Sequence, residues 1–199
     1  MPLVVVVGRP LAGKTLFTLG LARQFGIRRV SWPSPQPGAE SVSVAEARRR
    51  VLQAGRRATP TFCIPVGLGQ GRNHRVLTLM DTAGLTDGIA RHEASRRAMA
   101  DVLDTLQRAD IVLHVVDAAA LGIRLTRTLD PVDRALRDYA RTRPAYALVA
   151  HKWDRVEARR AWSHWERERD QVPLLTVSSL RGQGFRAVQQ FVLAACPPR

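Results

Sequence analysis

A chain of 199 residues with 45% hydrophobic content has material for one ordinary domain with a normal core. No apolar stretch approaches the ~20 residues of a membrane helix, which excludes a membrane-spanning class, and the short apolar run at the N-terminus is not a signal peptide. Cys63 and Cys196 are the only cysteines, so neither a disulfide framework nor a zinc site is expected and a cytoplasmic location is the default.

The charge balance, 31 basic against 17 acidic residues, favours nucleic acid or acidic surfaces as partners. Much of it is compositional. The only lysines are Lys14 and Lys152 and the only asparagine is Asn73, as expected of a genome that disfavours those codons. Against that depletion, each retained lysine falls in a motif.

Leu3 to Val7 is a continuous β-branched run and predicts a buried parallel strand. Gly8-Arg9-Pro10-Leu11-Ala12-Gly13-Lys14-Thr15 follows, a G-x-x-x-x-G-K-T phosphate loop, and then an amphipathic helix from Leu16 to Phe25. Glycines let backbone N–H groups approach a polyphosphate, and the helix N-terminus presents more of them. In such a loop Lys14 reaches the β- and γ-phosphates and the Thr15 hydroxyl meets Mg²⁺. The helix is expected to bury Leu16, Leu19 and Phe25 or close neighbours and to stop at Gly26.

Trp32 to Gly38 reads as a loop because Pro33, Pro35 and Pro37 exclude helix. Ser43-Val44-Ala45-Glu46 is a capping box, which predicts a helix from Val44 to Ala54 ending at Gly55. Arg48, Arg49 and Arg50 on it read as a solvated face in preference to a partner-docking surface. Thr61 to Val66 and Arg75 to Met80 read as paired strands around a glycine-rich turn, Gly67 to Asn73. Asp81, closing the second strand, is placed to hold Mg²⁺, and the Gly84 N–H to meet a γ-phosphate.

A helix from Glu93 to Arg108 should turn Ala94, Ala98, Met99, Val102, Leu103 and Leu106 inward. Ile111 to Val116 is a buried strand, with His114 a satisfied core histidine in preference to a catalyst. Asp130 caps a helix with Pro131 at its first position. The strand Ala145 to Ala150 delivers His151-Lys152-Trp153-Asp154. A polar helix with Trp162 and Trp165 as packing anchors follows. Pro173 to Val177 is the last strand, then Ser178-Ser179-Leu180 and a final helix to Ala195. Strands alternating with helices predict an α/β fold: a single doubly wound, mostly parallel sheet with helices on both faces. Residues 1–199 then form one domain, with an inserted loop-helix segment at about 27–60. Ligand groups gather beyond the carboxyl ends of such strands, where every motif above lies.

Gly8–Thr15, Asp81-Thr82-Ala83-Gly84-Leu85, His151-Lys152-Trp153-Asp154 and Ser178-Ser179-Leu180, in that order, resemble the translation-factor class of P-loop GTPases, nearest the Era, TrmE and EngA-like group, GTPase domain only. The resemblance implies a GTP/GDP site with Mg²⁺. Asp154 would accept from the guanine N1–H and 2-amino group, the Lys152 stem would lie over the base, and a backbone N–H near Ser179 would meet the guanine O6, with Ser178 shaping the loop beside Leu180. Adenine lacks the donor pair that Asp154 needs. His151 stands where the family usually has Asn. A neutral imidazole can still donate one N–H, so weaker guanine affinity is expected.

Leu11 stands where potassium-activated relatives carry Asn, and Leu85 where Ras-like proteins carry the water-positioning glutamine. Glu93 resembles the acidic residue proposed for that role in TrmE-like relatives, against a solvated surface glutamate. Thr61 or Thr59 would be the switch I threonine that adds a hydroxyl to Mg²⁺, and Arg56 precedes them as an arginine supplied in cis or as a plain surface residue. These features imply a slow Mg²⁺-dependent GTPase acting as a switch read by an effector protein, with ribosome or RNA contact through the arginine-bearing surface. The alternative is a GTP-loaded scaffold with negligible turnover. A P-loop kinase or ATPase is disfavoured by Asp154. No RNA-binding domain of the Era kind is expected after the GTPase domain within these 199 residues.

Overall fold

The computed structural model describes residues 1–33, 39–55, 61–69, 75–86, 93–124, 129–160, 165–167 and 171–196. In chain order the elements are β1 (Leu3–Val7), α1 (Lys14–Gln24), β2 (Arg29–Pro33), β3 (Ala39–Ser43), α2 (Val44–Ala54), β4 (Cys63–Leu68), β5 (Arg75–Asp81), α3 (Glu93–Gln107), β6 (Ile111–Asp117), α4 (Ala118–Arg124), α5 (Pro131–Ala140), β7 (Ala145–His151), α6 (Val156–Arg160), β8 (Leu174–Val177) and α7 (Phe185–Ala195).

Six strands form one sheet in the order β4-β5-β1-β6-β7-β8. All pairs are parallel except the antiparallel edge strand β4 on β5. The central strands are buried on both faces, which is why they read as unbroken apolar runs. One face packs on α1, α2 and α7 through Phe17, Leu19, Leu21, Val51 and Phe185, and the other on the helices from α3 to α6 through Val102, Leu106, Leu121, Leu136 and Ala158, with Trp165 joining them from beyond α6. The mostly parallel sheet flanked by helices is the P-loop GTPase fold that the motif order predicts.

The register brings the functional positions to one edge. Val6 pairs with Asp81, Val7 with His114, Asp117 with His151, and His151 with Val177. Gly8, Asp81, Asp117, His151 and Ser178 therefore all lie at or just beyond the carboxyl ends of adjacent strands.

Several local expectations need correction. In α1 the deeply buried residues are Phe17, Leu19 and Leu21, while Leu16 and Phe25 only flank the core. Trp32 and Pro33 belong to strand β2, which pairs antiparallel with β3 in a separate two-stranded sheet. Proline is tolerated there because the sheet has only edge strands and Pro33 ends one of them. Residues 34–38 lie outside the described set. Leu103 on α3 is 48% exposed rather than inward. Helix α4 adds to the predicted elements, and Asp117, which ends β6, caps it by accepting from the Ala120 N–H at 3.0 Å. Ser43 caps α2 as expected, its hydroxyl accepting from the Glu46 N–H at 3.0 Å, and Asp130 caps α5, accepting from the Val132 N–H at 3.2 Å. Trp165 is fully buried; Trp162 and the turn residues Gln70 to Asn73 lie outside the described residues.

His114 is fully buried, with Nδ1 2.9 Å from the Tyr146 hydroxyl and Nε2 3.1 Å from Asp133 Oδ1. A neutral ring that donates from Nε2 and accepts at Nδ1 satisfies both contacts. Tyr146→Phe leaves Nδ1 buried without a partner and is expected to cost about 1–3 kcal/mol in urea unfolding. Nucleotide affinity should not change, because Tyr146 stands outside the cleft described next. An equally large loss of nucleotide affinity would show that this histidine serves the site.

Candidate nucleotide site

A cleft of about 920 Å³ opens at the carboxyl edge of the sheet. At one end the phosphate loop wraps the N-terminus of α1. Leu11 takes a left-handed backbone, φ 64°. The Gly13 position has φ 97°, and a Cβ there would lie 2.4 Å from His151 Cε1, so only glycine fits. Lys14 is 7% exposed and its Nζ donates to the Arg9 carbonyl at 2.9 Å. Burial lowers its pKa, opposed by the charges of Asp81 and Asp133. Among the described residues this ammonium makes no ion pair, so a buried cation faces the cleft with only a neutral partner. Arg9 points away instead, forming an ion pair with Asp130 at 2.7 Å.

Beside Lys14, the Thr15 hydroxyl donates to Asp81 Oδ2 at 2.7 Å. The other carboxylate oxygen, Oδ1, is buried without a hydrogen-bond partner. Burial raises the Asp81 pKa to about 6, against the Thr15 hydrogen bond and the Lys14 charge, which lower it. The next segment is held close to the phosphate loop. The Thr82 hydroxyl donates to the Val6 carbonyl at 2.8 Å, and the Leu85 N–H to the Gly8 carbonyl at 3.2 Å. A Cβ on Gly84 would lie 2.6 Å from the Pro10 nitrogen, so this backbone approach also requires glycine.

At the other end, His151 is buried between two loops. Its Nδ1 is 2.7 Å from the Ala12 carbonyl and its Nε2 2.7 Å from Ser179 Oγ. The carbonyl can only accept, so Nδ1 carries the proton and Nε2 accepts from the Ser179 hydroxyl. Burial lowers the His151 pKa, which keeps the ring neutral. The ring thus bridges the phosphate loop and the Ser178–Leu180 loop, and its single N–H is spent on Ala12.

Lys152, also left-handed at φ 61°, sends Nζ to Asp117 Oδ2 at 2.6 Å and to the Leu11 carbonyl at 3.0 Å. Its alkyl stem is stretched between β7 and the phosphate loop as an apolar shelf. Asp154 Oδ1 accepts from the Ser178 hydroxyl at 2.5 Å. That hydrogen bond is the main cause of its lowered pKa, so the carboxylate is ionised at neutral pH. The same Ser178 Oγ accepts from the Arg181 N–H at 3.0 Å, fixing the loop.

Pro10, Leu11, Gly13, Lys14, Thr15, Thr61, Gly84, His151, Lys152, Asp154, Ser179 and Leu180 all line this one cleft. Gly8, Arg9, Ala12, Asp81 and Ser178 stand behind that lining and support it. Glu93 is exposed at the start of α3 and does not line the cleft. Arg56 and Thr59 lie outside the described residues. Asp117 was missed, although an acidic residue closing a strand at the level of Asp81 is a readable signal. Val51 and Leu52 of α2 and Gly55, which caps its end, also line the cleft, which nothing in the sequence announces.

A buried carboxylate whose pKa rises on folding favours the folded state at low pH and opposes it above its folded pKa. Moving Asp81 from 3.8 to about 6 corresponds to about 3 kcal/mol of destabilisation at pH 8. Asp81→Asn in the nucleotide-free protein is therefore expected to raise Tm by several degrees at pH 8, and to have little effect at pH 4. Equal shifts at both pH values, measured by thermal unfolding, would contradict the burial of this charge.

The chain resembles several known proteins. It is 28% identical over 202 residues to GTPase Der of Bradyrhizobium sp. (strain ORS 278), covering 96% of this chain but 37% of Der. The fold matches Era in complex with MgGDPNP and a segment of 16S ribosomal RNA, with TM-score 0.64 and 18% identity over 98% of this chain and 56% of Era. It matches an Era variant from Aquifex aeolicus bound to GDP·AlF4⁻ equally, with TM-score 0.64 and 18% identity over 99% of this chain and 58% of that one. The chain thus spans well under two thirds of these relatives. The family model described as 50S ribosome-binding GTPase matches residues 3–152. That match takes in the phosphate loop, Asp81 and Lys152 and stops short of Asp154. The chain belongs to the 50S ribosome-binding GTPase family.

Proposed function

We propose that this chain binds GTP and GDP through the cleft and hydrolyses GTP slowly with Mg²⁺, working as a switch. The observation that carries the reading is the pairing of opposite charges in one cleft. A buried Lys14 ammonium without an anionic contact among the described residues stands at one end, and the ionised Asp154 carboxylate at the other. A nucleoside polyphosphate supplies anionic oxygens to the first and N–H donors to the second.

In this reading the phosphate loop N–H groups and Lys14 take the β- and γ-phosphates. Thr15 and Asp81 fit Mg²⁺: the hydroxyl and Oδ2 lie together, and the partnerless Oδ1 gives a second hard oxygen donor. Thr61 adds a further hydroxyl from the cleft wall. Held by Thr15, Asp81 and Thr61, Mg²⁺ would supply positive charge to the phosphate end of the cleft. The Gly84 N–H meets the γ-phosphate, so its loss on hydrolysis releases the segments around Thr61 and Gly84. Asp154 reads the guanine N1–H and 2-amino group, the Lys152 stem carries the base, and an N–H near Ser179 meets O6. With the His151 N–H taken by Ala12, guanine selection rests on Asp154 and the Ser179 loop, which supports the expected weaker affinity.

The slow rate, on the order of 10⁻⁴ to 10⁻² s⁻¹, is inferred from the cleft lining. Leu85 is buried, Leu11 is apolar, and Glu93 would have to move inward to orient water. The same observations favour the second reading, a GTP-loaded scaffold with negligible turnover. Single-turnover hydrolysis separates the two. As the cellular partner we propose the ribosome or its RNA, in keeping with the family description, met by the exposed arginines Arg28, Arg29 and Arg49, with an effector protein reading the switch.

Competition among GTP, GDP and ATP for the wild-type protein tests the assignment. GTP and GDP should bind and ATP should compete poorly. Asp154→Ala should weaken guanine nucleotides roughly 100-fold while leaving ATP within about twofold. Equal wild-type affinity for ATP and GTP would refute guanine recognition.

A further inference from the structure

Helix α2 buries Val44, Ala47 and Val51 and packs on α1 and the β2–β3 pair. Its three consecutive arginines do not share one solvated face. Arg49 pairs with Glu46. Arg50 pairs with Glu46 and Glu40 at 2.9 and 2.8 Å and lies over Trp32 at 5.3 Å. Arg48 turns the other way, and its Nη2 donates to the carbonyl of Ser179, in the loop expected to meet the guanine O6. It has no acidic partner among the described residues. A guanidinium spent on a lone backbone carbonyl fixes position more than it balances charge.

One turn further on, at i+4 and so on the same helix face, Leu52 lines the cleft while 52% exposed. Leu11 at 54% and Leu180 at 66% exposure line the same cleft from two other elements. Single exposed leucines are ordinary, but three around one opening form an apolar rim.

We propose that α2 is a wall of the nucleoside half of the cleft, with Arg48 the latch that fixes it to the Ser178–Leu180 loop and Leu52 the apolar surface that a bound purine ribonucleoside covers. The proposal rests on the guanine-nucleotide reading and extends it. Helix α2 then contributes to base and ribose affinity, and its displacement opens the nucleoside end while the phosphate loop stays formed. Arg48 is a positioning residue, acting through α2 and the Ser179 loop.

The test compares GDP with inorganic tripolyphosphate, which engages the phosphate loop alone. Leu52→Ala removes an exposed side chain and keeps helix propensity, so the protein should fold normally. It is expected to weaken GDP roughly 3- to 15-fold and to leave tripolyphosphate competition unchanged. Arg48→Ala should weaken GDP in the same selective way, with Arg48→Lys recovering part of the loss. The double variant should lose less than the product of the two, because both act through one helix. Equal loss for GDP and tripolyphosphate, or unchanged GDP affinity in Leu52→Ala while the wild type binds GDP, overturns the wall. A wild-type protein that fails to bind GDP overturns this proposal together with the guanine reading. Should Arg48→Ala fail to fold, Leu52→Ala decides alone.

Discussion

One buried imidazole sets the dimensions of the site. His151 joins the Ala12 carbonyl of the phosphate loop to the Ser179 hydroxyl of the neighbouring loop. The distance between the two ends of the cleft is thereby fixed by a rigid ring rather than by two independent loops. Phe17 stands edge-on to the ring at 6.3 Å and stacks on Phe185 at 5.7 Å, so the bridge is anchored in the core beneath it. The ring occupies the space that a side chain at Gly13 would need. Lys152, reaching the Leu11 carbonyl and Asp117, makes a second crossing parallel to the first. The imidazole spends its one N–H on the Ala12 carbonyl and has none to spare for a ligand.

The electrostatics of the site are those of an unfinished set. Among the described residues Lys14 is buried without an anion and Asp81 with one oxygen partnerless, and burial raises the Asp81 pKa to about 6. Each opposes folding of the free protein. A ligand that completes both sets recovers that cost as binding energy and stabilises the folded chain by mass action. Asp154 is different. Partly exposed and held by Ser178, it is charged and oriented before any ligand arrives, as suits a group that selects rather than one that is neutralised.

Much of this was legible in the sequence because it is local. The phosphate loop, the Ser43 and Asp130 caps, and the buried runs of β1, β6 and β7 depend on neighbours within a few residues, so pattern and chemistry agree. Motif order then implied the parallel sheet. The differences have two physical origins, proline in a locally paired strand and contacts between residues distant in sequence. Prolines at 33, 35 and 37 concealed the β2–β3 pair, whose register joins Pro33 to Ala39. The three arginines of α2 look equivalent in sequence, and only the position of Ser179, 131 residues away from Arg48, separates one from the others. Asp117 ends a strand as Asp81 does, but its partner Lys152 comes from the next strand of the sheet.

The central claim is that a single cleft holds a triphosphate through the phosphate loop and a guanine through Asp154. A crystal structure of the GDP complex tests it most directly. The account predicts phosphate oxygens at the N–H groups of Gly13, Lys14 and Thr15, with the Asp154 carboxylate accepting from the guanine N1–H and 2-amino group. A base turned away from Asp154, or phosphates bound away from Lys14, would contradict it.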